Sequence, residues 1–148
     1  MGKEKKEMVN EYKDLMRVHE EHDQYHRLIY QKDEEMLHYH DELLKLLSEM
    51  ENVPDSISEG MKRHEEFYVE FRAMLNKHKA ILNEHDAYRS TFKKRRVKKD
   101  ALRSKLDAMT AEHEAINADH EFLKDMMAEV RSEHNQYRKW YNNMMAQK

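Results

Sequence analysis

The chain has no cysteine, one proline, two glycines and one tryptophan in 148 residues. Without cysteine there is no disulfide, no thiolate nucleophile and no zinc ribbon, and compartment stays open. One proline and two glycines leave almost no turn chemistry, so the elements should be few and long. Glycine is also too scarce for a loop that cradles phosphate. No stretch reaches the roughly 18 consecutive apolar residues of a membrane span, and no apolar signal core follows the charged N-terminus. A soluble, cytoplasmic chain is expected, folded as one domain over residues 1–148.

What is present is charge and periodicity. Charged and hydrophobic residues each make up 39%, and the mean hydropathy is −1.17. Such a chain cannot fill a broad globular core. It can fill a coiled-coil seam, which needs only about two apolar positions in seven. Disorder is the competing reading of so polar a composition. It is rejected because the apolar residues recur regularly and include twelve methionines, eight tyrosines and four phenylalanines.

The heptads define three helices. Over residues 3–51 one stripe is Tyr12, His19, His26, Asp33, His40 and Leu47; a second is Met8, Leu15, His22, Ile29, Met36, Leu43 and Met50. The pattern stops at Asn52-Val53-Pro54-Asp55, where proline removes a helical donor and biases its predecessor away from helix. Ser56 and Glu59 then read as a capping box. A second helix over 56–97 carries Ile57, His64, Phe71, His78, His85 and Phe92, and ends in a basic run, Lys93 to Lys99. Cations suit a helix C-terminus. Asp100 is the expected N-cap of a third helix over 100–146, with Leu106, His113, His120, Met127, His134 and Tyr141 in its seam. The fold class is therefore all-α: an elongated antiparallel three-helix coiled coil, up-down-up.

Nine of the eleven histidines fit that layout. His19, His26 and His40 are spaced 7 then 14, and His113, His120 and His134 repeat the spacing. His64, His78 and His85 reverse it. If residue r of the first helix faces 104 − r of the second, and s of the second faces 198 − s of the third, three levels form. They are His19/His85/His113, His26/His78/His120 and His40/His64/His134. Of six levels along this stripe, three carry histidine on every helix and three carry none. A single seam histidine is ordinarily a hydrogen-bonded core residue. The coincidence of levels favours selection or design for triads.

Two chemistries suit a triad. Three neutral imidazoles supply three of the four tetrahedral ligands of zinc and leave one position for water. Copper and nickel also accept imidazole. Glu21, Glu84, Asp86, Glu112, Glu114, Asp119, Glu121 and Glu133 are candidate acceptors for the ring N–H groups, although solvated heptad charge is the commoner fate of such residues. The second chemistry is protonation. Full charging of eleven histidines moves the formal charge from −3 to −3 + 11 = +8. Stacked interior imidazoles should therefore have depressed pKa values, and the bundle should lose stability in acid. Asp33 shares the histidine stripe, where it either orients a neighbouring ring or reaches solvent. Arg89 and Arg96 also fall in the seam, with stems that can pack while the heads reach water.

Enzymatic signatures are missing. Only Glu35-Met36-Leu37-His38 matches the Glu-x-x-His element of carboxylate-bridged di-iron bundles, and it has no mate. His22-Asp23-Gln24-Tyr25-His26 lacks the Glu of a His-Glu-x-x-His metalloprotease. No enzyme and no nucleic-acid partner are expected; a homo-oligomer is compatible with the pattern. The stretch Tyr88 to Arg96, followed by Asn117-Ala118-Asp119-His120, resembles the second half of sorting-nexin BAR domains. That resemblance implies a scaffold that dimerises on curved anionic membranes, the alternative to a histidine-based role. Spectrin-type repeats share the topology. The matched levels and minimal turns also resemble an engineered bundle.

Overall fold

A computed structural model describes residues 2–88, 92 and 98–148. Three helices account for nearly all of them: α1 (Lys3–Ser48), α2 (Asp55–Ala87) and α3 (Lys99–Ala146). No strand occurs among the described residues, and no helix there is long and apolar enough to cross a membrane. The all-α three-helix bundle is as the heptads predict.

The helix ends differ in detail from the sequence expectation. α1 stops at Ser48 rather than 51. The amides of Glu49 and Met50 bond to carbonyls three residues back, at 3.3 and 3.1 Å, which tightens the final turn. Asn52 then takes a left-handed conformation with φ 60°, a region that asparagine tolerates better than most residues. The predicted capping box does not form. The Pro54 carbonyl accepts from Ile57 and Ser58, so the helix begins at Asp55 and Ser56 lies inside the first turn, past the cap. Asp100 is likewise not the cap of α3. The Lys98 carbonyl accepts from Leu102 at 3.1 Å, which leaves the Asp100 carboxylate in the first turn, where it suits the dipole. Phe92 is helical, and its amide bonds to the Tyr88 carbonyl at 3.2 Å. Residues 89–91 and 93–97 lie outside the described residues. The predicted end of the second helix at 97, the seam arginines Arg89 and Arg96, and the basic run up to Val97 fall there.

The chain groups into two compact units, each assembled from parts of all three helices. The first comprises residues 1–27 and 74–120; the second comprises 28–73 and 121–148. In the first, Met8, Tyr12, Phe92, Leu102, Leu106 and Met109 form an apolar cluster, with Tyr12 stacked on Phe92 at 4.4 Å between centroids. In the second, Leu43, Leu47, Ile57, Met61 and Tyr137 do the same. Register is visible in both. Tyr12 meets Phe92 and His26 meets His78 in the first unit, and His40 meets His64 in the second, so α1 and α2 run antiparallel. Within the first unit, His19 with His113 and His26 with His120 put α1 parallel to α3.

Candidate metal centre

All three predicted triads assemble. His19/His85/His113 and His26/His78/His120 lie in the first unit, and His40/His64/His134 in the second. Every member is buried, and at each level the three ring nitrogens offered as ligand atoms lie within 4.8 Å of one another. The closest approaches are His85 Nδ1 to His113 Nε2 at 3.1 Å, His26 Nε2 to His120 Nε2 at 2.9 Å and to His78 Nδ1 at 3.3 Å, and His40 Nδ1 to His134 Nε2 at 3.1 Å. A tetrahedral ion holding nitrogens at ~2.0–2.1 Å keeps them about 3.3–3.4 Å apart, so little movement separates these triads from ligand geometry.

The outward nitrogens follow a rule. Each α2 histidine meets the carboxylate one position before the α3 histidine of its own level. His64 Nε2 bonds to Glu133 at 2.9 Å, His78 Nε2 bonds to Asp119 at 2.8 Å, and His85 Nε2 stands 3.5 Å from Glu112. That last distance is too long for a good hydrogen bond but favours the proton on that side. Two α1 histidines meet the carboxylate one position after the α2 histidine. His40 Nε2 reaches Glu65 at 3.3 Å, and His19 Nε2 faces Asp86 at 3.4 Å, with Asp23 equally near. The equivalent position after His78 is Lys79, and among the described residues no carboxylate pairs with His26.

A carboxylate only accepts, so the nitrogen facing it carries the hydrogen and the other nitrogen of a neutral ring keeps its lone pair. This directs lone pairs of His19, His40, His64, His78 and His85 away from the carboxylates, toward the level they share. Consistently, Nδ1 of His19 and Nδ1 of His64 are buried with no hydrogen-bond partner; His85 Nε2 also lacks one, because Glu112 stands beyond hydrogen-bond reach.

His22 extends the first level. His113 Nδ1 lies 3.0 Å from His22 Nδ1, and His22 Nε2 lies 2.7 Å from Asn117 Oδ1. With the amide oxygen facing it, His22 Nε2 carries hydrogen and Nδ1 accepts from His113 Nδ1–H. His113 Nε2 is then bare, 3.1 Å from the bare His85 Nδ1. Lone pairs so close repel unless a cation, proton or metal, is shared between them. Turning the Asn117 amide over reverses the chain and puts one hydrogen on His113 Nε2.

The chain matches no protein-family model, no curated protein and no solved structure. Its chemistry therefore rests on its own geometry.

Burial sets the protonation state. It holds His26 down to about 4 and His113, His120 and His134 down to about 3, with repulsion from neighbouring rings as the next cause. These four have no carboxylate within ion-pair distance among the described residues. His120 and His134 pack instead on Tyr25 and Tyr39, at 4.3 and 5.7 Å between centroids. Burial also lowers His22, against the opposing hydrogen bond to Asn117. It lowers His64 and His85, against the pull of Glu133 and Glu112. At neutral pH these rings are uncharged, the form a metal requires.

Of the candidate acceptors read from sequence, Asp86, Glu112, Asp119 and Glu133 reach triad rings. Glu84 accepts from the Tyr88 hydroxyl at 2.5 Å instead. Glu21, Glu114 and Glu121 form no ion pair with a triad ring among the described residues. Asp23 and Glu65 are additions. Asp23 was findable as the residue four after His19, and Glu65 as the neighbour of His64. Asp33 follows neither expectation. It is buried and accepts from Arg72 Nε at 3.2 Å, because Arg72 follows Phe71 at the same level and carries its charge in from the half-exposed edge.

Proposed function

We propose that this bundle binds first-row transition metal ions, zinc foremost and copper or nickel by the same donors, at up to three interior histidine levels. The observation carrying this reading is the direction of the rings. His40, His64 and His78 hydrogen-bond outward through Nε2 to a carboxylate, and His19 and His85 turn Nε2 toward one at 3.4–3.5 Å, which leaves the other nitrogen of each ring for the interior, where two further ligands from other helices converge. Ordinary buried histidines need satisfied hydrogen bonds. They do not need lone pairs directed at one another. Carboxylate partners also raise ligand basicity and fix ring orientation.

Protons compete for the same inward nitrogens, so metal binding and acid lability are two readouts of one arrangement. At pH 7.5, purified protein supplied with zinc should hold up to three ions per chain by elemental analysis. Its melting temperature should rise with zinc and fall back with chelator. A native-specific ligand at 100 times its Kd adds about 2.7 kcal/mol. Melting curves identical in zinc and in chelator, with no metal retained after desalting, would reject the proposal.

A further inference from the structure

Resting on the metal-binding reading, the geometry points to an anion site at the third level: a small carboxylate or similar oxygen-donor anion completes the coordination of an ion held by His40, His64 and His134. A cavity of about 310 Å³ adjoins this level, and His134 is the triad member that lines it. Around it stand Lys32, Met36, Tyr39, Arg131 and Asn135, with Glu35 the one acidic side chain. Two cations and an amide around one cavity favour an anion over a neutral or cationic guest. Its volume is at the small end for ligand pockets and leaves ample room for a small guest.

Three histidines leave a tetrahedral ion one open position. At the first level the neighbour beside the triad is a fourth histidine, His22, held on the other ring nitrogen of His113. At the third level the neighbour beside the triad is the cationic cavity. In the same unit His64 Nδ1 is buried with no hydrogen-bond partner. A histidine lone pair without a donor calls for a cation, and the cationic lining beside His134 calls for an anion. A metal–anion pair supplies both.

The test uses the full chain loaded with cobalt(II), whose visible absorption responds to the ligand in its fourth position, and acetate as the probe. Titration of acetate should change the spectrum with an amplitude corresponding to one of the three bound ions. Lys32→Gln with Arg131→Gln, both exposed positions where substitution spares the fold, should weaken acetate by about tenfold, the scale of one charged hydrogen bond. Cobalt stoichiometry should not change. Three bound cobalt ions with a spectrum indifferent to acetate overturn this proposal alone. So does equal acetate affinity in the double variant. A protein that takes up no cobalt overturns the metal reading and this inference together.

Discussion

The two compact units carry unequal shares of the same polar seam. Seven of the ten buried histidines, namely His19, His22, His26, His78, His85, His113 and His120, belong to the first unit. The second has three, at one level, and adds a buried carboxylate, Asp33, paired with Arg72. Burial holds the Asp33 carboxyl above its usual range, against the pull of Arg72. The two kinds of group respond to acid with opposite sign. A buried neutral histidine with a depressed pKa binds fewer protons folded than unfolded, so its stabilisation is lost as pH falls below about 6.5. A carboxyl with a raised pKa binds more protons folded than unfolded, so its contribution improves as pH falls. Two regions built from the same helices should therefore differ in acid tolerance.

The largest expected effect tests that difference. His26, His113 and His120 in the first unit, and His134 in the second, bind protons in the folded state only near pH 3–4. Between pH 6.5 and those values each disfavours folding by roughly 1.4 kcal/mol per pH unit, so pH 5 removes about 2 kcal/mol per ring. Three such rings represent roughly 6 kcal/mol in the first unit, comparable with the whole stability of a typical domain. Three rings take up protons together when the unit opens, so the loss should be steep rather than graded. Amide exchange followed from pH 7.5 to 5 should show residues 100–120 of α3 losing protection at higher pH than residues 121–146. Simultaneous loss along α3 would remove the distinction between the units, and unchanged protection at pH 5 would remove the cause.

Next in size is a substitution that sharpens the contrast. His40→Leu, His64→Leu and His134→Leu together replace one polar level with side chains of similar volume. Exchanging buried polar groups for packed apolar ones is often neutral or stabilising by about 1–4 kcal/mol. At neutral pH the second unit should hold or gain protection, and its acid response should flatten while that of the first unit persists. Bound zinc should drop by one ion per chain. If both units flatten, acid sensitivity is not local to the levels.

Much of this arrangement was legible in the sequence, for a physical reason. A heptad fixes which residues share a stripe, and turn signals at Pro54 and Asp100 fix the fold-back. Levels such as His26/His78/His120 then follow by arithmetic. The carboxylates were legible too, as candidate acceptors whose commoner fate is solvated charge. Glu112, Asp119 and Glu133 stand one position before His113, His120 and His134, so they repeat the histidine spacing and track the α2 rings. What stayed hidden depends on side-chain reach. Arg72 swings in to Asp33, and His22 belongs to the other stripe of α1 yet bends toward His113 and Asn117. The caps failed for a local reason: carbonyls of Pro54 and Lys98 accept the first helical amides, which places Ser56 and Asp100 two residues past the cap.

A smaller effect belongs to the second unit alone. Gly60 on α2 lies directly under the ring of Tyr137, and a Cβ there would overlap the tyrosine hydroxyl. That hydroxyl donates to Glu133 at 3.0 Å, and the same carboxylate oxygen accepts from His64. Gly60→Ala gains up to about 1 kcal/mol of helix propensity but overpacks a filled site, which costs about 1–3 kcal/mol. The net should be a loss of about 1–2 kcal/mol in chemical denaturation, with zinc affinity reduced at the third level only. A stabilised Gly60→Ala protein would mean that Tyr137 moves freely and does not hold Glu133 against His64.

The smallest expected effect concerns the first unit and separates orientation from bulk. His22 and Asn117 set which nitrogen of His113 is bare, yet neither is among the three ligands of the level. Loss of a group that orients a metal-bound histidine costs about 10–100-fold in affinity. His22→Leu should therefore weaken one of three zinc sites by about tenfold and leave the others alone, because His113 loses the acceptor that keeps hydrogen on Nδ1. Asn117→Asp provides the counter-test. An aspartate can only accept, so it holds hydrogen on His22 Nε2 and fixes the orientation that bares His113 Nε2. Stepwise zinc titration by calorimetry should show one site weakened in His22→Leu and the same site retained or strengthened in Asn117→Asp. If both substitutions weaken that site equally, the pair acts as packing and the relay has no directional role. If neither moves it, His113 is oriented by its level alone, and the first unit differs from the second only in the number of its histidines.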